Sequence, residues 1–152
     1  MKKQREILHG HFFPVPKEIF SLGLCDSEIA IYIYLMSIEN RKTYQAMASY
    51  STIGRALKLS ANTVRKYVLQ LEEKDFIYIE HTKVKTKDGR THNGCLLYTI
   101  RPIQDAIEHY TYRQYSLFEN EVATQKAKQR VEVYNRKHPQ EPLCATFADE
   151  VG

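Results

Sequence analysis

Tryptophan is absent from the 152 residues, and glycine, proline and cysteine are scarce at six, five and three. Cys25, Cys95 and Cys144 stand far apart with no CxxC pair. That spacing argues against a disulfide framework or a zinc knuckle and fits a reducing cytoplasm. No stretch approaches the ~18 apolar residues of a membrane span, and the basic N-terminus has no apolar segment behind it, so neither insertion nor export is expected. Catalytic signatures are missing as well. There is no phosphate-binding loop, no dinucleotide fingerprint, no nucleophile elbow and no His or carboxylate pair at metal-ligand spacing. His9 and His11 lack a third ligand and read as part of a loose terminus rather than a metal site. The sequence thus points to no enzyme, no cofactor, no metal, no membrane and no evident small-molecule ligand.

What is present suits one compact domain with an appendage: 43% of the residues are hydrophobic and the net charge is +4. A mildly basic balance fits a nucleic-acid partner and also many other soluble proteins, so the distribution of charge has to decide. Residues 49–79 carry most of the information. Ile53 and Leu57 lie at i and i+4, with Gly54 as a small residue that admits a close helix crossing. Lys58-Leu-Ser60 reads as a turn, and Ser60 as the N-cap of a second helix. That helix places Val64, Tyr67, Val68 and Leu71 on one face and leaves Ala61, Asn62, Arg65, Lys66 and Gln70 outside it. This is the pattern of a DNA-binding helix-turn-helix.

Beyond Asp75 the period turns strand-like. Residues 76–81 and 95–100 are β-rich, and Asp88-Gly89 between them predicts a two-residue hairpin turn. Lys83, Lys85, Lys87 and Arg90 cluster at the tip, the three lysines spaced to share one face of the ribbon. Ahead of the motif, Pro14 and Pro16 impose an extended approach to a helical turn, with Phe13, Val15, Ile19 and Phe20 as a lid on the core. A helix follows over about Asp26–Asn40, capped by Asp26 or Ser27, with Glu28 favouring its N-terminal dipole. Ile29 to Met36 are consecutively apolar or aromatic. Two readings remain open: a central helix with neighbours on most sides, or one whose Ile31 or Tyr32 flank, with Leu35, is covered by a second subunit. Thr43, Tyr44 and Gln45 form a short extended piece able to add a third strand to the hairpin.

Pro102 and the turn-free run to Lys137 predict one long helix. Ile103, Tyr110, Leu117, Thr124 and Val131 recur every seven residues, with Ala106, Ala127 and Tyr134 offset, while Arg113 and Asn120 interrupt the second seam. A two-stranded coiled coil and packing back on the domain both remain open.

The stretch from Phe13 to Pro102 resembles the bacterial winged helix-turn-helix families found in small regulators and at the N-terminus of plasmid and mobile-element replication initiators. The resemblance rests on Phe13-Pro-Val-Pro, Glu39-Asn-Arg-Lys-Thr-Tyr, Ser60-Ala-Asn-Thr-Val-Arg-Lys-Tyr and Leu71-Glu-Glu-Lys-Asp-Phe-Ile. It departs at Asp75 and at Lys58, where glycine is common; a left-handed Lys58 costs on the order of 1 kcal/mol. The expected fold is α+β, mainly α: a three-helix core, a β-hairpin wing and a long C-terminal helix. The expected segments are a flexible tail (1–11), the winged domain (12–101), the C-terminal helix with a dimerising role (102–138) and a disordered tail (139–152). The resemblance implies double-stranded DNA as partner and a cytoplasmic homodimer acting in transcription control or replication initiation. Ala61, Asn62, Thr63, Arg65 and Lys66 are the candidate base readers. Ser49, Tyr50, Ser51, Thr52 and Ser60 are candidate phosphate ligands at helix N-termini, and Lys83, Lys85, Lys87 and Arg90 the wing contacts. The alternative is a winged-helix assembly module working through its C-terminal helix.

Overall fold

The computed structural model describes residues 12–144, and the expected tail 1–11, with His9 and His11, lies outside them. The chain divides into two compact units, at residues 1–110 and 111–152. In the first, a 3-10 turn at Lys17–Phe20 leads to α1 (Asp26–Ile38), β1 (Gln45–Ala48), α2 (Tyr50–Leu57), α3 (Ala61–Glu73), β2 (Ile77–Lys85) and β3 (Thr91–Ile100). A long helix, α4, then runs over Ile103–Lys137.

The apolar run in α1 makes it the centre of the core. Ile31, Tyr32 and Leu35 are sealed within their own domain, so the reading that a second subunit covers this flank does not hold. Tyr32 meets Phe76 edge-on, with ring centroids 5.3 Å apart. Ile53 of α2 and Val64, Val68 and Leu71 of α3 complete the helical side, each fully buried. Phe20, expected in the lid, is instead 75% exposed, because the tight turn directs Ile19 inward in its place.

The helix caps differ from expectation at α1. Its N-cap is Cys25, not Asp26 or Ser27, and Glu28 accepts a hydrogen bond from the Cys25 N–H at 2.7 Å. Glu28 is buried and does more than face a dipole: Lys74, just past α3, donates to its two oxygens at 2.8 and 3.0 Å. A carboxylate this deep is stable only when paired and hydrogen-bonded, and here it is both.

The sheet is antiparallel in the order β1-β3-β2. Register sets Ala46 and Ile79 on either side of Tyr98, so a small residue beside the bulky ring lets the inner face close on the helices. The third strand thus exists, but Thr43 and Tyr44 belong to the turn before it, with Tyr44 at φ 57°. Past His81 the register of β2 shifts and Thr82 Oγ1 donates to the Cys95 carbonyl. Beyond this irregularity the ribbon leaves the core as the wing.

Its tip corrects the sequence reading. Thr86 N–H donates to the Arg90 carbonyl at 2.9 Å, leaving Lys87, Asp88 and Gly89 as a three-residue loop with Gly89 at φ 74°. Lys83 and Lys85 alternate along β2 as expected, whereas Lys87 lies in the loop and is not part of that strand face. The first turns of α4 pack on this unit through buried Ala106 and half-buried Ile103, Ile107 and Tyr110.

In the second unit, α4 continues with Tyr112, Tyr115, Leu117 and Phe118 more than half exposed. The Asn135 side-chain amide donates to the Leu143 carbonyl at 2.9 Å and accepts from the Leu143 N–H at 2.7 Å. The opening of the expected C-terminal tail is therefore held, and residues 145–152 lie outside the described range. No helix among the described residues is long and apolar enough to cross a membrane.

Candidate nucleic-acid interface

Two short helices joined by a strained turn build the site. Ser49 caps α2, its Oγ accepting from the Thr52 N–H at 3.1 Å; Ser60 caps α3, accepting from the Thr63 N–H at 3.2 Å. Between them Lys58 adopts φ 56°, ψ 41°, the left-handed conformation that reverses the chain. Gly54 has no room for a side chain, but the cause is not the helix crossing expected from the sequence. A Cβ there would collide with the Leu59 carbonyl oxygen, so glycine serves the turn itself.

This turn fixes which residues of α3 face outward. Val64 and Val68 are fully buried, which leaves Ala61, Asn62, Arg65 and Lys66 exposed along the first two turns. Thr63 is half-buried and its hydroxyl lies 2.7 Å from Ser60 Oγ, making it the least available of the expected readers. Neither Asn62 nor Arg65 has a hydrogen-bond partner among the described residues. Lys66 Nζ lies 5.3 Å from the Tyr67 ring centroid, a cation–π contact that draws the ammonium along the helix.

Of the expected phosphate ligands, Ser51 and Thr52 are exposed, and Ser49 and Tyr50 are half-buried. Burial pushes the Tyr50 phenol above its ordinary range, and the Arg65 charge pulls partly the other way. Arg65 on the outward face of α3 thus acts on Tyr50 at the start of α2. Neither helix carries an acid in its first turn, so no acid of their own offsets the positive ends of their dipoles. On the wing Lys83, Lys85, Lys87 and Arg90 are all exposed, and none forms an ion pair among the described residues.

At its far end α3 is tied down. Besides Lys74 with Glu28, Glu72 accepts from the Ile79 N–H at 3.0 Å. Asp75, left-handed at φ 63°, receives Arg101 and sits 2.9 Å from His109 Nδ1. Sequence reading missed these anchors. The Cys25-x-x-Glu28 spacing hinted at the capping arrangement, but nothing local announced partners from residues 74 and 101.

Two helices around a left-handed turn, backed by a third helix and by a three-stranded sheet whose projecting hairpin follows them, define a winged helix-turn-helix fold. A family model described as a helix-turn-helix domain matches residues 22–77. No curated protein matches the chain. Among solved structures, a possible transcriptional regulator from Methanosarcina mazei Go1 is similar at 17% identity, over 69% of this chain and 82% of that one, with a TM-score of 0.44. The adhesin competence repressor of Streptococcus pyogenes is similar at 18% identity over 78% and 80%, TM-score 0.37. Lactococcus lactis ZitR is similar at 20% over 90% and 82%, TM-score 0.36.

Proposed function

We propose that the chain is a sequence-specific double-stranded DNA-binding protein acting in transcription control, with replication initiation of a mobile element as the second role for the same contacts. The observation that carries this reading is the outward face of α3, where Asn62 and Arg65 stand exposed with no side-chain hydrogen bond among the described residues, while Val64, Val68 and Leu71 on the opposite face are fully buried. With the N-terminal turns of α3 in the major groove, Asn62 pairs with an adenine edge and Arg65 with a guanine. Ala61 and the Thr63 methyl meet thymine methyls, and Lys66 holds a phosphate. Ser51, Thr52 and the start of α2 meet the backbone, with Ser49, Tyr50 and Ser60 shaping that end. Lys83, Lys85, Lys87 and Arg90 carry the wing onto the backbone or into a minor groove. Such a protein works in the cytoplasm, as a homodimer on a two-fold site.

Mobility shifts with duplexes from the gene's own flanking region test this. Binding is expected to weaken steeply with salt. Arg65→Ala is expected to cost about 1–3 kcal/mol, roughly 5- to 150-fold, on the preferred duplex and far less on random DNA. Salt-independent binding, no binding, or equal loss on both duplexes would sink the reading. The alternative, an assembly module, draws on the exposed aromatic residues of α4 and predicts a protein complex indifferent to the wing lysines.

A further inference from the structure

A pocket of 680 Å³ opens in the first unit, between the Pro14 approach, the end of α1, the turn at Tyr44 and the start of α4. Its volume lies in the range of about 300–1,000 Å³ typical of small-molecule sites. Pro14, Met36, Tyr44 and Ile103 give it mainly apolar walls, and Glu39 and Arg101 are the charged residues on its lining.

The two charges are not equivalent. Arg101 is already committed, to Asp75 and, at 3.2 Å, to Asp105. Arg41, the other cation near Glu39, donates to the Phe12 carbonyl at 3.0 Å. Glu39 Oε2, by contrast, is closed off from solvent and has no hydrogen-bond partner among the described residues. A carboxylate oxygen left so is costly and calls for a donor. Burial accordingly raises the Glu39 pKa, with Arg41 opposing the shift. At the rim, Tyr44 is held left-handed by its N–H to the Asn40 carbonyl, 2.7 Å, and by the Ile100 N–H to its own carbonyl, 2.8 Å. A bulky residue in this conformation persists only where its surroundings enforce it, and such residues cluster at ligand clamps.

We propose that this pocket binds a small amphipathic amine, its apolar body against Pro14, Met36, Tyr44 and Ile103 and its ammonium pairing with the Glu39 carboxylate. An anionic ligand is disfavoured, because Glu39 lines the pocket and Arg101, the cation on its lining, is held by Asp75 and Asp105. Nothing in the sequence announced the site, since its walls come from four separate stretches of chain. The proposal does not depend on DNA binding.

The test uses the full-length chain with ¹³C-labelled methionine methyls, titrated with phenethylamine in the absence of DNA. The Met36 methyl is expected to shift saturably while that of Met47, exposed on the outer sheet face, stays in place. Phenylpropionate, the same body with the opposite charge, is expected to bind at least about tenfold more weakly, and Glu39→Gln to weaken the amine by a similar factor. The proposal is overturned if Met36 does not respond, if Met36 and Met47 move together, if the acid binds as well as the amine, or if Glu39→Gln leaves amine affinity unchanged. The comparison of amine with acid on the unmodified protein decides the matter even where the variant folds poorly.

Discussion

Gly54 shows how one atom's worth of space sets the geometry of the reading surface. Its backbone carbonyl accepts the Leu59 N–H at 2.9 Å while the Leu59 carbonyl lies where a Cβ would be. Gly54→Ala therefore forces the turn apart, and is expected to cost about 1–3 kcal/mol, lowering the thermal midpoint by several degrees. Calorimetry on the two proteins measures it, and an unchanged midpoint would show that the turn yields freely. The need for glycine was legible in the sequence, but its cause was not: position 54 was read against a crossing helix, whereas the obstacle is a backbone atom five residues on. Lys58 and Asp75 were legible through the family resemblance, which places glycine at both, and both are left-handed at helix termini.

At the level of elements, legibility tracked punctuation. No proline or glycine lies between Pro102 and Pro139, and α4 fills that interval as Ile103–Lys137. The wing was harder. Asp88-Gly89 suits a two-residue turn, yet Gly89 supplies the left-handed residue of a three-residue loop, and the register shift after His81 has no local sequence signature. Moving Lys87 from strand to loop leaves the wing's charge intact but spreads it around the tip. In the proposed DNA complex such a tip would contribute affinity without sequence preference. Replacing Lys83, Lys85 and Lys87 together by alanine is expected to lower the magnitude of the log K versus log salt slope by about 2–3 while leaving the ranking of duplexes unchanged. A slope that stays put in fluorescence-anisotropy titrations would remove the wing from the interface.

At the scale of the whole molecule, the second unit leaves Tyr115, Leu117 and Phe118 exposed on a helix whose heptad line runs through Leu117, Thr124 and Val131. A second copy is the occupant the homodimer reading requires. Sedimentation equilibrium of the intact chain is expected to show a dimer at micromolar concentration, and Leu117→Lys with Phe118→Lys a monomer. A monomeric unmodified chain would count against the dimer and leave the DNA contacts to one copy. The first unit distributes its duties along α3. The polar side-chain ties that fix this helix to the rest of the domain, Lys74 on Glu28, Glu72 on the Ile79 N–H, and Asp75 with Arg101 and His109, all gather at its C-terminal end. Residues 61, 62, 65 and 66 lie on the outward side of the opposite end and take no part in those ties. Exchange of these four positions leaves the scaffold's anchors untouched, so under the proposed function the target sequence could change while the fold keeps its stability.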